Sequence, residues 1–119
     1  MHKVRELHIW KKAMNLVSDV YNMCADLPND EKYGLISQIK RAAVSIPTNI
    51  AEGAGRNSNK EFIHFLSIAN GSSYELETQL LLLTELKFLK DKDINNILNQ
   101  LVEIQKMNYS FQKSLTSQN

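Results

Sequence analysis

Glycine and proline are scarce in this chain, with four and two among 119 residues. Turns depend heavily on these residue types, so the chain must consist of few, long elements. Cysteine occurs once, as Cys24, which excludes an internal disulfide and fits a reducing compartment. Long apolar runs are missing too. The longest is Leu80-Leu81-Leu82-Leu83, far short of the roughly 20 residues a membrane-spanning helix needs. The opening Met1-His2-Lys3-Val4-Arg5-Glu6 offers neither an apolar stretch nor a small-residue cleavage site, so no signal peptide is expected. A cytoplasmic protein without membrane contact is the expectation. A strong charge excess is also absent, because the net charge is +1.

What is present is ordinary globular material, 43% hydrophobic and 23% charged. The length fits one domain over residues 1–119. Charge is mildly polarised. Residues 1–60 carry nine Lys/Arg against six Asp/Glu, and residues 61–119 carry five against seven. That asymmetry is weaker than the basic signature of a dedicated nucleic-acid binder.

Apolar periodicity divides the chain into four helices. In the first, over about 7–27, Trp10, Met14, Val17, Tyr21 and Cys24 step by four and three and share one face. Ala13, Leu16, Val20, Met23 and Leu27 run beside them as a second face. Such a broadly apolar helix is expected to be covered on more than one side. It should stop at Leu27-Pro28, because a residue before proline disfavours the helical region. The second helix, over about 31–55, carries Leu35, Ile39, Ala42, Ile46 and Ile50, with Asp30 as an N-cap. Pro47 lies inside that stripe. It removes one backbone hydrogen bond and crowds the Ala43 carbonyl. The unbroken phase predicts one helix kinked at Pro47, with two short helices meeting there as the alternative. Gly53 and Gly55 are expected to cap its end.

Ser58-Asn59-Lys60-Glu61 reads as a capping box opening a third helix over about 59–88. Its stripe is Phe62, Leu66, Ala69, Ser73, Leu76, Leu80 and Leu83. Asn70-Gly71 would suit a hairpin turn, but the stripe passes through it in register. A mid-helix glycine costs about 1 kcal/mol against alanine, so close approach of another backbone is the expected reason for Gly71. Ile94, Ile97, Leu101, Ile104, Asn108, Phe111 and Leu115 mark a fourth helix over about 92–115, capped by Asp91 or Asp93. Nothing reads as a strand. The expected fold is all-α, an antiparallel up-down-up-down four-helix bundle.

Catalytic and metal chemistry is not legible. Gly53-Ala54-Gly55 begins like a dinucleotide fingerprint, but Ser58 stands at the third glycine and no strand precedes it. Glu61-Phe62-Ile63-His64 supplies one Glu-x-x-His element, whereas a di-iron bundle needs two and further inward carboxylates. His64 should point to solvent. His2 and His8 lack a Cys or carboxylate cluster for zinc. Cys24, on an apolar stripe with no His near in sequence, behaves as a small hydrophobe. No cofactor, no metal and no enzymatic activity are expected.

Two polar stripes remain. Ser45, Asn49, Glu52 and Arg56 run beside the apolar face of the second helix. On the third, Ser72, Glu75 and Gln79 lie between Phe65, Ile68 and Leu82. They are either solvated faces or a hydrogen-bonded network between helices or subunits. Apolar flanks around a polar centre favour the network, since buried polar groups are costly unless paired. The apolar surplus on the first and third helices also exceeds what a soluble monomer usually exposes. It points to a homo-oligomer.

The segment Ser45-Ile46-Pro47-Thr48-Asn49-Ile50-Ala51-Glu52-Gly53 with Arg56 resembles the signature of the 23S rRNA intervening-sequence protein family. So do Glu61-Phe62, Phe65-Leu66, Ile68-Ala69, Gly71-Ser72 and Glu75-Leu76-Glu77-Thr78-Gln79-Leu80. Leu7, Trp10, Lys12 and Ala13 match its opening helix, and the resemblance covers roughly residues 5–115. Where the family usually reads Leu-Gly-Tyr-Leu, this chain has Leu86-Lys87-Phe88-Leu89, which leaves the last connection without its glycine. The resemblance implies a four-helix bundle assembled as a ring-shaped homopentamer. An older label for the family, ribosomal protein, does not imply a ribosomal role. Similar bundles are accessory proteins of diversity-generating retroelements that contact nucleic acid and a reverse transcriptase, an activity no motif carries onto this chain.

Two functions stand side by side. One is binding of RNA or DNA, with structured RNA as one candidate, through Lys11, Lys12, Lys40, Arg41, Arg56 and Lys60, all in the basic half. A fivefold ring would multiply weak patches. The other is a scaffold or accessory subunit for a protein partner, with those residues forming an ordinary solvated face.

Overall fold

The computed structural model describes residues 2–28 and 34–117. A 3-10 turn, Val4–Glu6, leads into four helices: α1 (His8–Cys24), α2 (Leu35–Ala54), α3 (Asn59–Glu85) and α4 (Asp91–Ser117). Among the described residues there is no strand. α1 packs on α2, α2 on α3, α3 on α4, and α4 closes back onto α1, while the diagonal pairs do not meet. That pattern is the up-down-up-down bundle. α2 and α3 share the most extensive of these seams.

The core follows the periodicities closely in three helices. On α3 the residues Phe62, Leu66, Ala69, Ser73, Leu76, Leu80 and Leu83 are all buried. On α4 the same holds for Ile94, Ile97, Leu101, Ile104, Asn108 and Leu115, with Phe111 partly buried against them. Each large side chain so buried stabilises the fold by about 1.5–3 kcal/mol. α1 is where the pattern misleads. Its core face is Ile9, Ala13, Leu16, Val20 and Cys24, largely the stripe read as the second one. Trp10, Met14, Val17 and Tyr21 lie on the outer flank. Both stripes have helical spacing, so periodicity alone could not rank them.

α2 runs without a break through Pro47, which is itself buried. The lost donor is tolerated because the apolar phase on both sides packs into one core. Gly53 does not cap this helix. It lies inside α2, buried where the helix meets α3, and a Cβ there would come within 2.8 Å of both Phe62 Cδ1 and Phe65 Cβ. The close backbone approach expected at Gly71 is therefore found at Gly53. Around Gly71 nothing lies within 4 Å of where a Cβ would sit. Gly55 is the C-cap residue. The proposed cap Asp30 lies outside the described residues.

α3 and α4 start with side-chain caps, whereas α1 and α2 have none at Leu7 and Gly34. Ser58 Oγ accepts from the Glu61 N–H at 3.1 Å and donates to Glu61 Oε1 at 3.2 Å, so Glu61 reaches back to the hydroxyl. Asp93 Oδ2 accepts from the Lys90 N–H at 2.8 Å before α4. α3 ends at Glu85, two residues past its stripe and short of the expected 88, in a Schellman turn. Lys87 adopts a left-handed φ of 65°. The Phe88 N–H donates to the Leu83 carbonyl at 2.9 Å and the Lys87 N–H to the Thr84 carbonyl at 3.0 Å. A lysine thus takes the conformation that a glycine would take at less cost.

Candidate interaction site

The residues carrying the sequence signature converge on the α2–α3 seam. Ile46 and Ile50 enter the core while Ser45 and Asn49, one turn apart, face α3. Ser45 Oγ lies 2.8 Å from Ser72 Oγ. Asn49 Nδ2 donates to the Ser45 carbonyl at 2.8 Å and to Ser45 Oγ at 2.9 Å. This is an interhelical polar cluster, half-buried. Farther along, Arg56 donates to Glu52 Oε1 at 3.1 Å, reaches Glu61 at 4.0 Å, and lies over the Phe65 ring, 4.7 Å from its centroid. Glu75 and Gln79 are not joined to this cluster. Glu75 is exposed. Gln79 is only 7% exposed, and its Oε1 has no hydrogen-bond partner among the described residues. A buried carbonyl of this kind costs about 1–3 kcal/mol.

The six basic candidates do not gather into one patch. Lys12 pairs with Glu103 across α1 and α4, which holds the Glu103 carboxyl below its ordinary value, first through the hydrogen bond from Lys12 and then through its charge. Lys40 lies over Tyr21, 4.7 Å from the ring centroid. Tyr21 is ten residues along α1 from Lys11, about 15 Å at the helical rise. Arg56 is engaged by carboxylates, as above. Lys11, Arg41 and Lys60 are exposed. Among the described residues, no carboxylate lies within ion-pair reach of these three.

Other candidate groups sit as ordinary structure. His64 is exposed beside Phe65. His2 packs its ring edgewise against Phe62, and its backbone N–H donates to the Ala54 carbonyl at 3.0 Å. Cys24 is buried, and desolvation pushes its thiol above the usual range, partly opposed by the charge of Lys40. Among the described residues, no group of three or more His, Cys, Asp or Glu could hold a metal ion. No helix among them is long and apolar enough to cross a membrane.

Two apolar surfaces stay open. One is a groove of about 550 Å³ between α1 and α2, whose walls include Trp10, Met14, Val17, Val44 and Pro47. The other is the outward line of α3, where Ile68 is 39% and Leu82 41% exposed, with Gly71 between them. The apolar α1 wall was legible as a stripe, but its period does not say that it faces outward.

The model of the family described as 23S rRNA-intervening sequence protein matches residues 5–110. A crystal structure of a protein of unknown function from the S23 ribosomal protein family of Bacteroides thetaiotaomicron is similar at 29% identity. The match covers 88% of this chain and 98% of that one, with a TM-score of 0.82. No curated protein matches the chain.

Proposed function

The chain belongs to the 23S rRNA-intervening sequence protein family, and on that footing we propose that it is a non-catalytic, cytoplasmic helical module that works as a homo-oligomer. One observation carries this reading. Gly71 sits in the middle of α3, facing out, with open space where its side chain would be. A glycine there costs the helix about 1 kcal/mol, and nothing among the described residues uses the room. A neighbouring copy laid across α3 would use it. Ile68 and Leu82 flank the position, and Gln79 Oε1, without a partner among the described residues, lies on an adjacent line of the same helix.

A ring joins unlike surfaces head to tail. The open α1–α2 groove supplies the second surface, and Glu75 and Gln79 are expected beside Asn49, Glu52 or Arg56 of the neighbouring copy. Five subunits is the number the family resemblance implies; the surfaces themselves do not count copies. Light scattering at micromolar concentration tests the reading. The expected result is a multiple of 13.6 kDa, fivefold for the ring, reduced by Ile68→Glu or Gly71→Leu. A mass of one chain would overturn self-association, and a stable dimer would remove the ring of five alone.

A second reading is binding of RNA or DNA phosphates through Lys11, Arg41 and Lys60. It is favoured by the absence of any paired carboxylate at these exposed cations among the described residues. Such binding would weaken steeply with salt. No gel shift even at low salt would remove it and leave the scaffold role, with a protein as the partner.

A further inference from the structure

The outer seam between α3 and α4 opens as a groove of about 550 Å³ lined by Tyr74, Val102, Gln105, Lys106, Tyr109 and Ser110. Tyr74 is 53% exposed and Tyr109 67%, so two large rings stand in solvent along one groove. Lys113 adds a second cation, its Nζ 5.7 Å from the Tyr109 ring centroid. None of the lining residues is a carboxylate. Two acids lie near: Glu77, which accepts from Gln105 Nε2 at 3.2 Å, and Glu103, which pairs with Lys12 and also feels the charge of Lys106. From Ile104 onward the sequence holds two lysines and no Asp or Glu. This stretch is locally basic within the more acidic half of the chain.

Exposed flat rings beside cations, with no carboxylate lining the groove, match the two needs of a single strand. Unstacked bases require π faces, and phosphodiesters require positive charge. A duplex would offer the lysines its phosphates but leave the rings unused, because its bases are already stacked. A neutral protein surface would use the rings and leave the lysines unmatched. We propose that this groove binds single-stranded nucleic acid, with bases stacking on Tyr74 and Tyr109 and phosphates meeting Lys106 and Lys113. The site goes beyond self-association and uses none of the six basic residues of the first half of the chain.

The test is fluorescence anisotropy of a short, labelled, mixed-sequence single-stranded RNA titrated with the full chain in its native oligomeric state. Tyr74→Ala and Tyr109→Ala are each expected to weaken binding about fivefold or more. Lys106→Gln and Lys113→Gln are each expected to flatten the log–log salt dependence by about 0.7. Because all four side chains are exposed, the circular dichroism and mass of these variants should match the parent and show that the fold is retained. A duplex of the same sequence should bind more weakly. Lys11→Gln, Arg41→Gln and Lys60→Gln combined should leave the tyrosine dependence in place. Binding lost in that triple variant but indifferent to both tyrosines would overturn this site while sparing the phosphate-binding reading. Absence of binding at low salt, or equal affinity for the duplex, would also overturn it. So would Ser110→p-benzoylphenylalanine that crosslinks protein but no nucleic acid in cells.

Discussion

The Gly53 backbone lies so close to Phe62 that an added methyl group would come within 2.8 Å of the ring, and within 3.2 Å of the Phe62 carbonyl. Ring and backbone are both held by the core, so neither can yield cheaply. Gly53→Ala gains about 1 kcal/mol of helix propensity but must push α2 away from α3, and overpacking of this kind costs about 1–3 kcal/mol. A net loss of about 1 kcal/mol is expected in a urea melt. An unchanged or raised midpoint would show that the seam is looser than its geometry.

Lys87 makes the opposite case. Its left-handed φ of 65° costs a non-glycine residue about 1–2 kcal/mol, part of which glycine gives back as unfolded-chain entropy. Lys87→Gly should raise stability by about 0.5–1 kcal/mol, read as a higher Tm. A lower Tm would mean that the lysine makes a compensating contact at the end of α3.

Asn108 occupies a core position on α4. Its Nδ2 donates to the Leu66 carbonyl at 2.9 Å, and its Oδ1 accepts from Gln112 Nε2 at 2.6 Å. Asn108→Ala leaves a cavity and a Gln112 amide without its acceptor, for an expected loss of about 1–3 kcal/mol. Chemical denaturation gives the number directly, and a change below about 0.5 kcal/mol would show that water replaces the amide.

Cys24 is held as the neutral thiol by burial, with its acidity weakened despite the charge of Lys40. A raised folded pKa means that its stabilising contribution is complete below the unfolded value and is lost as pH rises through the folded one. Alkylation by iodoacetamide at pH 8 should be many times slower in the native protein than in urea. Equal rates would show that the end of α1 opens freely.

The fold was largely open to reading because three helices carry one dominant stripe each. α3 and α4 bury the residues their spacing picks out, and Ser58 caps as its spacing to Glu61 suggests. α1 resisted because it has two stripes of equal period. Only the position of α2 and α4 decides that Leu16 goes in and Met14 stays out. The close approach fell at Gly53 and not at Gly71 for a similar reason, since a glycine's neighbour in space is set by how two helices cross. The paired hydroxyls of Ser45 and Ser72 were foreseen as members of a polar network, while the failure of Gln79 to join it was not. Tyr74 and Tyr109 escaped notice because they belong to different helices and share a surface only after folding.

The helical state of Asn70-Gly71 also sets a chemical clock. In a flexible chain, asparagine before glycine readily cyclises to a succinimide, because the next amide nitrogen can swing onto the side-chain carbonyl. Within α3 the helical backbone keeps those atoms apart, and the Asn70 main-chain carbonyl, which belongs to the same peptide unit as the Gly71 nitrogen, accepts from the Ser73 hydroxyl at 2.7 Å. Isoaspartate at residue 70 would therefore accumulate only during openings of the middle of α3, so the age of a protein sample records how often that helix has come undone.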